Sequence, residues 1–334
     1  MSADRSSPNE GGAATPEVDA PQPAWRQRAR GGRFGNGTFA WLARSRIGLA
    51  LTPLLLFFVV LYFCFAAPKA RRASFRFADQ VGRGGSWWRR WLFAFRHFWT
   101  FGVLQVDRLA VLAGQDDLYA LESDIDAAIL AAHAEGRGVI LQTAHLGNWQ
   151  MTLHLLGQLG VHATAVMVDT VGDAVKEALA RLEAERAFSV IYSDGSPNSA
   201  AAILAALQRG DVVGIMGDRL FGGEGVPVEF LGEPATLPVG GYVLSVVSGA
   251  SLFHCFSCRI AHRRYRLLAQ DVGRLKYPDR RRKREALQGW AQEFADRLGE
   301  VAEEYPTQWG NFHPLGADDA AATSRERTRS EETS

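Results

Sequence analysis

A histidine and a glutamine five residues apart bound the run His145-Leu-Gly-Asn-Trp-Gln150, directly after the short apolar stretch GVILQT (138–143). An imidazole, with an ordinary pKa near ~6.5, can take a proton from an alcohol and hand it to a leaving group. Reactive groups in open α/β sheets collect just past the carboxyl ends of strands, and His145 is expected at such an end. Gly147 would let the backbone turn tightly behind it, and Asn148 is a candidate helix cap. The Gln150 side-chain carbonyl can accept a hydrogen bond from the imidazole N–H and fix its tautomer, but it brings no negative charge to an imidazolium. Asp218-Arg219, after a second apolar run, offers a guanidinium able to grip phosphate or carboxylate bidentately. Three readings stand at this point. Gln150 orients His145, or Asp218 or another carboxylate supplies the charge, or the pocket binds without catalysing.

Other candidates are weaker. His254-Cys-Phe-Ser-Cys258 with His262 has a metal-knuckle spacing, but in a strand Cys255 and Cys258 point to opposite faces, so a buried strand and no metal are expected. The run Gly222-Gly-Glu-Gly225 lacks the Lys-Ser/Thr ending of a phosphate loop. His133, His154 and His162 are expected to be structural. The basic cluster at 280–284 suits a solvated face, or a dock for an acidic carrier protein or anionic lipid.

The elements that must hold these groups alternate in type. Residues 118–135 predict a helix, 138–143 a strand, 149–159 a helix, 161–168 a strand and 173–187 an amphipathic helix. SVIY (189–192) then precedes a helix opened by Ser196-Pro197 and closed by Gly210, and DVVGIM (211–216) is the next strand. PVEFLG (227–232) and SLFHCFSCRI (251–260) read as strands, and 285–304 as a late helix. Short β-branched runs separated by helices imply an α/β fold, a mainly parallel central sheet flanked by helices.

With 334 residues, 47% of them hydrophobic, the chain is long enough for one large or two small folded domains. Its 37 basic and 36 acidic side chains give no global reason to expect a nucleic-acid partner, and three cysteines are too few for a disulfide framework. The mean hydropathy of −0.09 conceals an uneven chain. IGLALTPLLLFFVVLYFCFAA (47–67) carries no charge and matches the ~20 residues that cross a bilayer core as a helix. Arg44, Arg46, Lys69, Arg71 and Arg72 flank it. The next stretch, SWWRRWLFAFRHFWTF (86–101), mixes Trp, Phe and Arg as an amphipathic helix at the headgroup layer does. The expected organisation is a disordered tail over 1–40, a transmembrane anchor with basic flanks over 41–72, a membrane-surface helical region over 73–117, a catalytic domain over 118–314 and a second tail over 315–334.

HLGNWQ resembles the H-x4-[D/E] block of the lysophospholipid acyltransferase superfamily, and above all its bacterial lipid A lauroyl and myristoyl acyltransferases. Several further features run in that family's order: the N-terminal apolar segment with basic flanks, Asp107-Arg108, Gly217-Asp218-Arg219, FLGEPATLP (230–238) and YPTQWGNF (305–312). The resemblance covers residues 40–313 and is nearest to the predicted acyltransferases of aryl-polyene-type clusters. It departs at Gln150, where the family has Glu or Asp. The resemblance implies a glycerolphosphate acyltransferase-like fold and a membrane-bound acyltransferase without cofactor, with His145 as general base. Gly147, Asn148, Asp218, Arg219, Thr236 and Pro238 would belong to the substrate cleft. It further implies acyl carrier protein, rather than acyl-CoA, as donor and a lipid-like hydroxyl as acceptor. Membrane phospholipid would be a partner, at a bacterial inner membrane with the catalytic domain cytoplasmic. A catalytically silent relative binding lipid or carrier protein is the alternative.

Overall fold

The computed structural model describes residues 33–123, 126–158, 160–168, 188–194, 196–220, 224–310 and 312. The helix expected over 173–187, the tails over 1–32 and 315–334, and residues 222 and 223 of the run 222–225 lie outside these residues.

Helices open the described chain: α1 (Arg33–Leu42), α2 (Arg46–Ala66), α3 (Pro68–Gln80) and α4 (Trp87–Leu112). The Ser45 hydroxyl accepts the Gly48 N–H at 3.0 Å and so caps α2. By length and composition α2 fits a single membrane span, and Pro53 lies within it. Pro68, with no N–H to lose, starts α3. The last residues expected in the tail, 33–40, instead begin α1, because Phe39 packs with Ala43 of the same stretch, Leu49 of α2, and Val106 and Ala110 of α4.

The α/β part follows: β1 (Ala120–Ser123), α5 (Asp126–Ala134), β2 (Val139–Thr143), α6 (Trp149–Gln158), β3 (Ala163–Val168), β4 (Phe188–Ser193), α7 (Pro197–Gln208) and β5 (Val212–Met216). After β6 (Gly225–Phe230) and β7 (Glu233–Pro238) come α8 (Gly240–Ser248), β8 (Ser251–Ala261), β9 (Arg264–Arg274) and α9 (Lys283–Glu304). A seven-stranded sheet has the order β1-β9-β8-β2-β5-β3-β4, and β6 and β7 form a separate antiparallel ribbon. All pairs in the large sheet are parallel except β8 with β9. The α/β reading with a mainly parallel sheet therefore holds.

Alternate residues of the central strands feed opposite cores, as the two-residue period of a strand requires. Ile140, Leu252 and Phe256 meet Ile203 of α7, Tyr242 of α8 and Phe294 of α9 on one face. Val139, Leu141 and Phe253 meet Ile129 of α5 and Leu156 of α6 on the other. Cys255 faces this second core and Cys258 the first, and burial pushes the Cys255 thiol up to about 12. The expected helix over 118–135 is split, because Ala120–Ser123 pairs with β9 and Glu122 is bound by Arg264 and Arg266. Local helix preference yields there to a sheet edge that only the fold supplies.

Candidate active site

The parallel neighbours β2 and β5 end side by side, with Thr143 opposite Met216, and their next residues leave the sheet together. The Gly217 N–H donates to the Thr143 carbonyl at 2.7 Å, which carries the pairing one residue further. A Cβ at Gly217 would lie 2.7 Å from Gln142 Nε2, so a side chain there would have to displace Gln142 from its bond to Tyr242. One step on, Asp218 faces His145.

The Asp218 carboxylate binds His145 twice. Oδ1 lies 2.9 Å from the ring Nδ1, and Oδ2 accepts the His145 backbone N–H at 3.0 Å. The Asp218 side chain is fully buried, whereas that of His145 is 31% exposed. Burial alone would raise the Asp218 carboxyl, but the imidazole beside it, its hydrogen bonds and the Arg219 charge together hold it down to about 2. Asp218 is thus an ionised acceptor, and the proton on Nδ1 is fixed by that partner. Nε2 has no hydrogen-bond partner among the described residues and remains accessible.

The loop that carries His145 is clamped from two sides. Gly147 has φ +71°, and a Cβ there would lie 2.0 Å from the Ser257 carbonyl, so no other residue fits. Its N–H donates to the Gln308 carbonyl at 3.0 Å, the Asn148 N–H donates to Ser257 at 2.8 Å, and the Gly310 N–H returns to the His145 carbonyl at 2.6 Å. These two amides, at 147 and 148, are spent on the scaffold, so they are not free oxyanion donors. The Gln308 side chain in turn holds both the N–H and the carbonyl of Arg259.

Trp309 belongs to the same C-terminal strap, and its carbonyl lies 2.7 Å from Nε2 of the buried His97 on α4. Ser74 Oγ of α3 sits 3.0 Å from the other ring nitrogen. Burial pushes His97 down to about 4, against a smaller opposing effect of the Trp309 carbonyl. His97 and Ser74 escaped the sequence reading, since neither has a spacing to the YPTQWGNF block that marks it. A histidine inside the aromatic helix α4 was the available signal.

The other expected site residues fall as follows. Arg219 Nη2 donates to the Gly310 carbonyl at 3.2 Å, so its first task is to hold the strap. Asn148 does not cap α6 through its side chain; Nδ2 points to the Leu104 carbonyl at 3.4 Å, and the backbone carbonyl takes the Met151 N–H. Gln150 is buried at 8% exposure and makes no hydrogen bond to His145, whose Nδ1 is already taken. Thr236 and Pro238 lie on β7 opposite Pro227 and Gly225, where ribbon pairing fixes them. The ribbon reaches the site region through Phe230, whose ring stacks edge-on to Trp309 at 5.1 Å. Asp107 is a buried hub, accepting from Tyr119, Tyr265 and Arg259 at 2.9, 2.6 and 3.2 Å.

Comparison with known proteins gives the same direction. Phosphatidylinositol mannoside acyltransferase of Mycobacterium tuberculosis (strain H37Rv) is 28% identical over 203 residues, covering 60% of this chain and 61% of that protein. The protein of the same name from Mycolicibacterium smegmatis is 26% identical over 195 residues, covering 58% and 61%. The matched region thus spans about three fifths of these curated relatives. The sequence pattern of the family described as bacterial lipid A biosynthesis acyltransferase matches residues 115–315, the stretch that holds His145, Asp218 and the strap, and the chain belongs to that family.

Proposed function

We propose that this protein transfers an acyl group from a thioester to a hydroxyl of a lipid or lipid-like acceptor, with His145 as general base and Asp218 as the group that orients and charges it. The observation that carries this reading is the carboxylate on Nδ1 with Nε2 left accessible. The acceptor O–H proton passes to Nε2 as its oxygen attacks the thioester carbonyl carbon. The tetrahedral intermediate then expels the thiolate as the C–S bond breaks, and the imidazolium returns its proton to that sulfur. Asp218 stabilises the imidazolium between these steps, a task for which Gln150 has no charge. The thioester is already activated, so the chemistry asks for no cofactor.

The donor proposed is an acyl carrier protein rather than CoA. The exposed basic face of Arg281, Arg282, Lys283 and Arg284 suits an acidic carrier, although Arg282 is partly occupied by Glu285. The relatives named above point to lipid-linked acceptors. We place the protein at a bacterial inner membrane, with the catalytic unit on the cytoplasmic side where acyl thioesters are found.

The test is full-length protein in detergent or vesicles, offered acyl carrier protein or CoA thioesters with a membrane lipid extract, with acylated products read by mass spectrometry. Product from the wild type that disappears in His145→Ala is the expected result. Product that persists in His145→Ala would overturn the mechanism. A wild type that forms no product with either donor while retaining lipid or carrier would make it a binding protein instead.

A further inference from the structure

The length of α2 suits a membrane, but length does not set the direction of a helix in the bilayer; its packing does. Twenty-one residues rise about 31 Å as a helix, close to the thickness of a hydrocarbon core. Along that whole length α2 runs antiparallel to α4. Phe65 meets Trp91 at 5.6 Å and Phe57 meets Phe95 at 6.1 Å between ring centroids. Further along, a Cβ at Gly102 would lie 2.4 Å from the Leu56 side chain. Leu49 packs with Val106 and Ala110, and Arg46 pairs with Asp117 at 2.7 Å, just beyond the end of α4.

The opposite side of α4 is bolted to the catalytic unit. His97 reaches Trp309, Thr100 Oγ1 bonds Thr307 at 3.1 Å, and Asp107 holds Arg259 of β8 and Tyr265 of β9. A spanning α2 that kept this packing would carry α4, Asp107 and Arg259 into hydrocarbon, where charged groups are costly. A spanning α2 that left α4 would instead expose the seam of Phe95, Phe98, Trp99 and Val103 to water.

Away from α4, α2 shows a second apolar stripe. Ile47, Leu51, Leu54, Phe58 and Leu61 are 40–78% exposed and recur at alternating steps of four and three, one face of a helix. The buried set on the other side is Gly48, Leu49, Thr52, Leu56, Val60 and Cys64. Exposed Trp41, Trp87 and Trp88 stand at the margins of this surface. Exposed Lys69, Arg72, Arg83, Arg89 and Arg96 surround it with positive charge.

From this geometry we propose that α2 lies in the plane of the membrane, sunk into a single leaflet by its outer stripe, with α4 as the strut between it and the catalytic unit. The occupant of the surface is an anionic phospholipid bilayer. Apolar side chains enter the acyl region, Trp rings sit at the interface, and the cations meet headgroup phosphates. Both ends of α2 then lie on the same side of the membrane as His145. The proposal concerns how the protein is seated and stands whether or not the acyl transfer above is correct.

Sidedness of labelling decides it. Arg44→Cys and Arg72→Cys bracket α2, and Glu303→Cys on α9 reports the catalytic unit. Each is made in the full chain, whose native cysteines, Cys64, Cys255 and Cys258, are buried. Cells are converted to spheroplasts or to inverted inner-membrane vesicles and treated with a membrane-impermeant maleimide, with wild type as background. All three sites are expected to react in one preparation and stay silent in the other. Positions 44 and 72 reacting from opposite sides would overturn the proposal, as would release of the protein by a salt wash. If either substitution prevents accumulation, Trp41→Cys and Lys69→Cys repeat the bracket with the same two readings.

Discussion

Two histidines touch the same C-terminal strap and sit in opposite environments. The His145 carbonyl receives the Gly310 N–H, and one residue earlier the Trp309 carbonyl receives His97. His97 is fully buried between a hydroxyl and a carbonyl, both neutral, and burial brings it down to about 4. Its Nε2 must donate to Trp309, so its Nδ1 accepts from Ser74. Such a ring stays uncharged at neutral pH and acts as a brace. His145 has a buried, ionised carboxylate on one nitrogen and an accessible second nitrogen. An imidazole becomes a base through its counter-charge and its exposure, not through residue type.

The largest effect that tests this contrast is at the carboxylate. Asp218→Asn keeps the shape but removes the charge and invites the wrong tautomer, and turnover is expected to fall by up to about 10⁴, the size of the equivalent change in the serine-protease triad. Steady-state rates with a mass-spectrometric product assay check it; a fall of less than tenfold would place the charge elsewhere. His97→Phe breaks the brace instead. Leaving the Trp309 carbonyl and Ser74 hydroxyl buried without a partner is expected to lower folding stability by about 1–3 kcal/mol for each group not re-satisfied, read by denaturant melts of the detergent-solubilised protein.

The pH dependence of stability separates the same regions. His97 and His254 both titrate near 4 in the fold through burial, against 6.5 when unfolded, so the unfolded chain binds more protons between those values. Stability is expected to be full above about pH 6.5 and to decline as pH falls to about 4. His97→Gln should make that decline shallower. Asp218 acts lower: its contribution is whole above the unfolded value of 3.8 and is lost as pH falls toward 2. Melts across pH 2–8 distinguish the two windows. The smallest effect is expected from Gln150→Glu. Because Asp218 already occupies Nδ1, the restored acid should change turnover by less than about tenfold, whereas a rise of several hundredfold would return the orienting role to position 150.

Much of the fold was legible because apolar runs of alternating period report strands and helices directly. GVILQT, DVVGIM and SLFHCFSCRI all became sheet strands, and His145 stands where the first of them ends. The short edge strand at 120–123 was not legible, since its four residues take their conformation from β9, about 140 residues away. Asp218 stood among the candidates for the missing charge, but its sequence neighbours show only a pair with Arg219. The distance of 73 residues to His145 is closed by the parallel pairing of β2 and β5. The strap was visible as a block without a task, because its bonds to His145, Gly147 and His97 are made by its backbone groups, which carry no residue signature.

What the sequence determined by itself was the kind of molecule: the apolar helix with basic flanks, the alternating α/β core, and an imidazole at a strand end followed by the one glycine that fits. These follow from local periodicity and from the conformational limits of single residues. Tertiary structure decided which carboxylate meets that imidazole, which histidine is a brace, and which side of α2 is left exposed. Each of those depends on strand order or helix packing between distant segments, and a linear pattern carries no record of the partner.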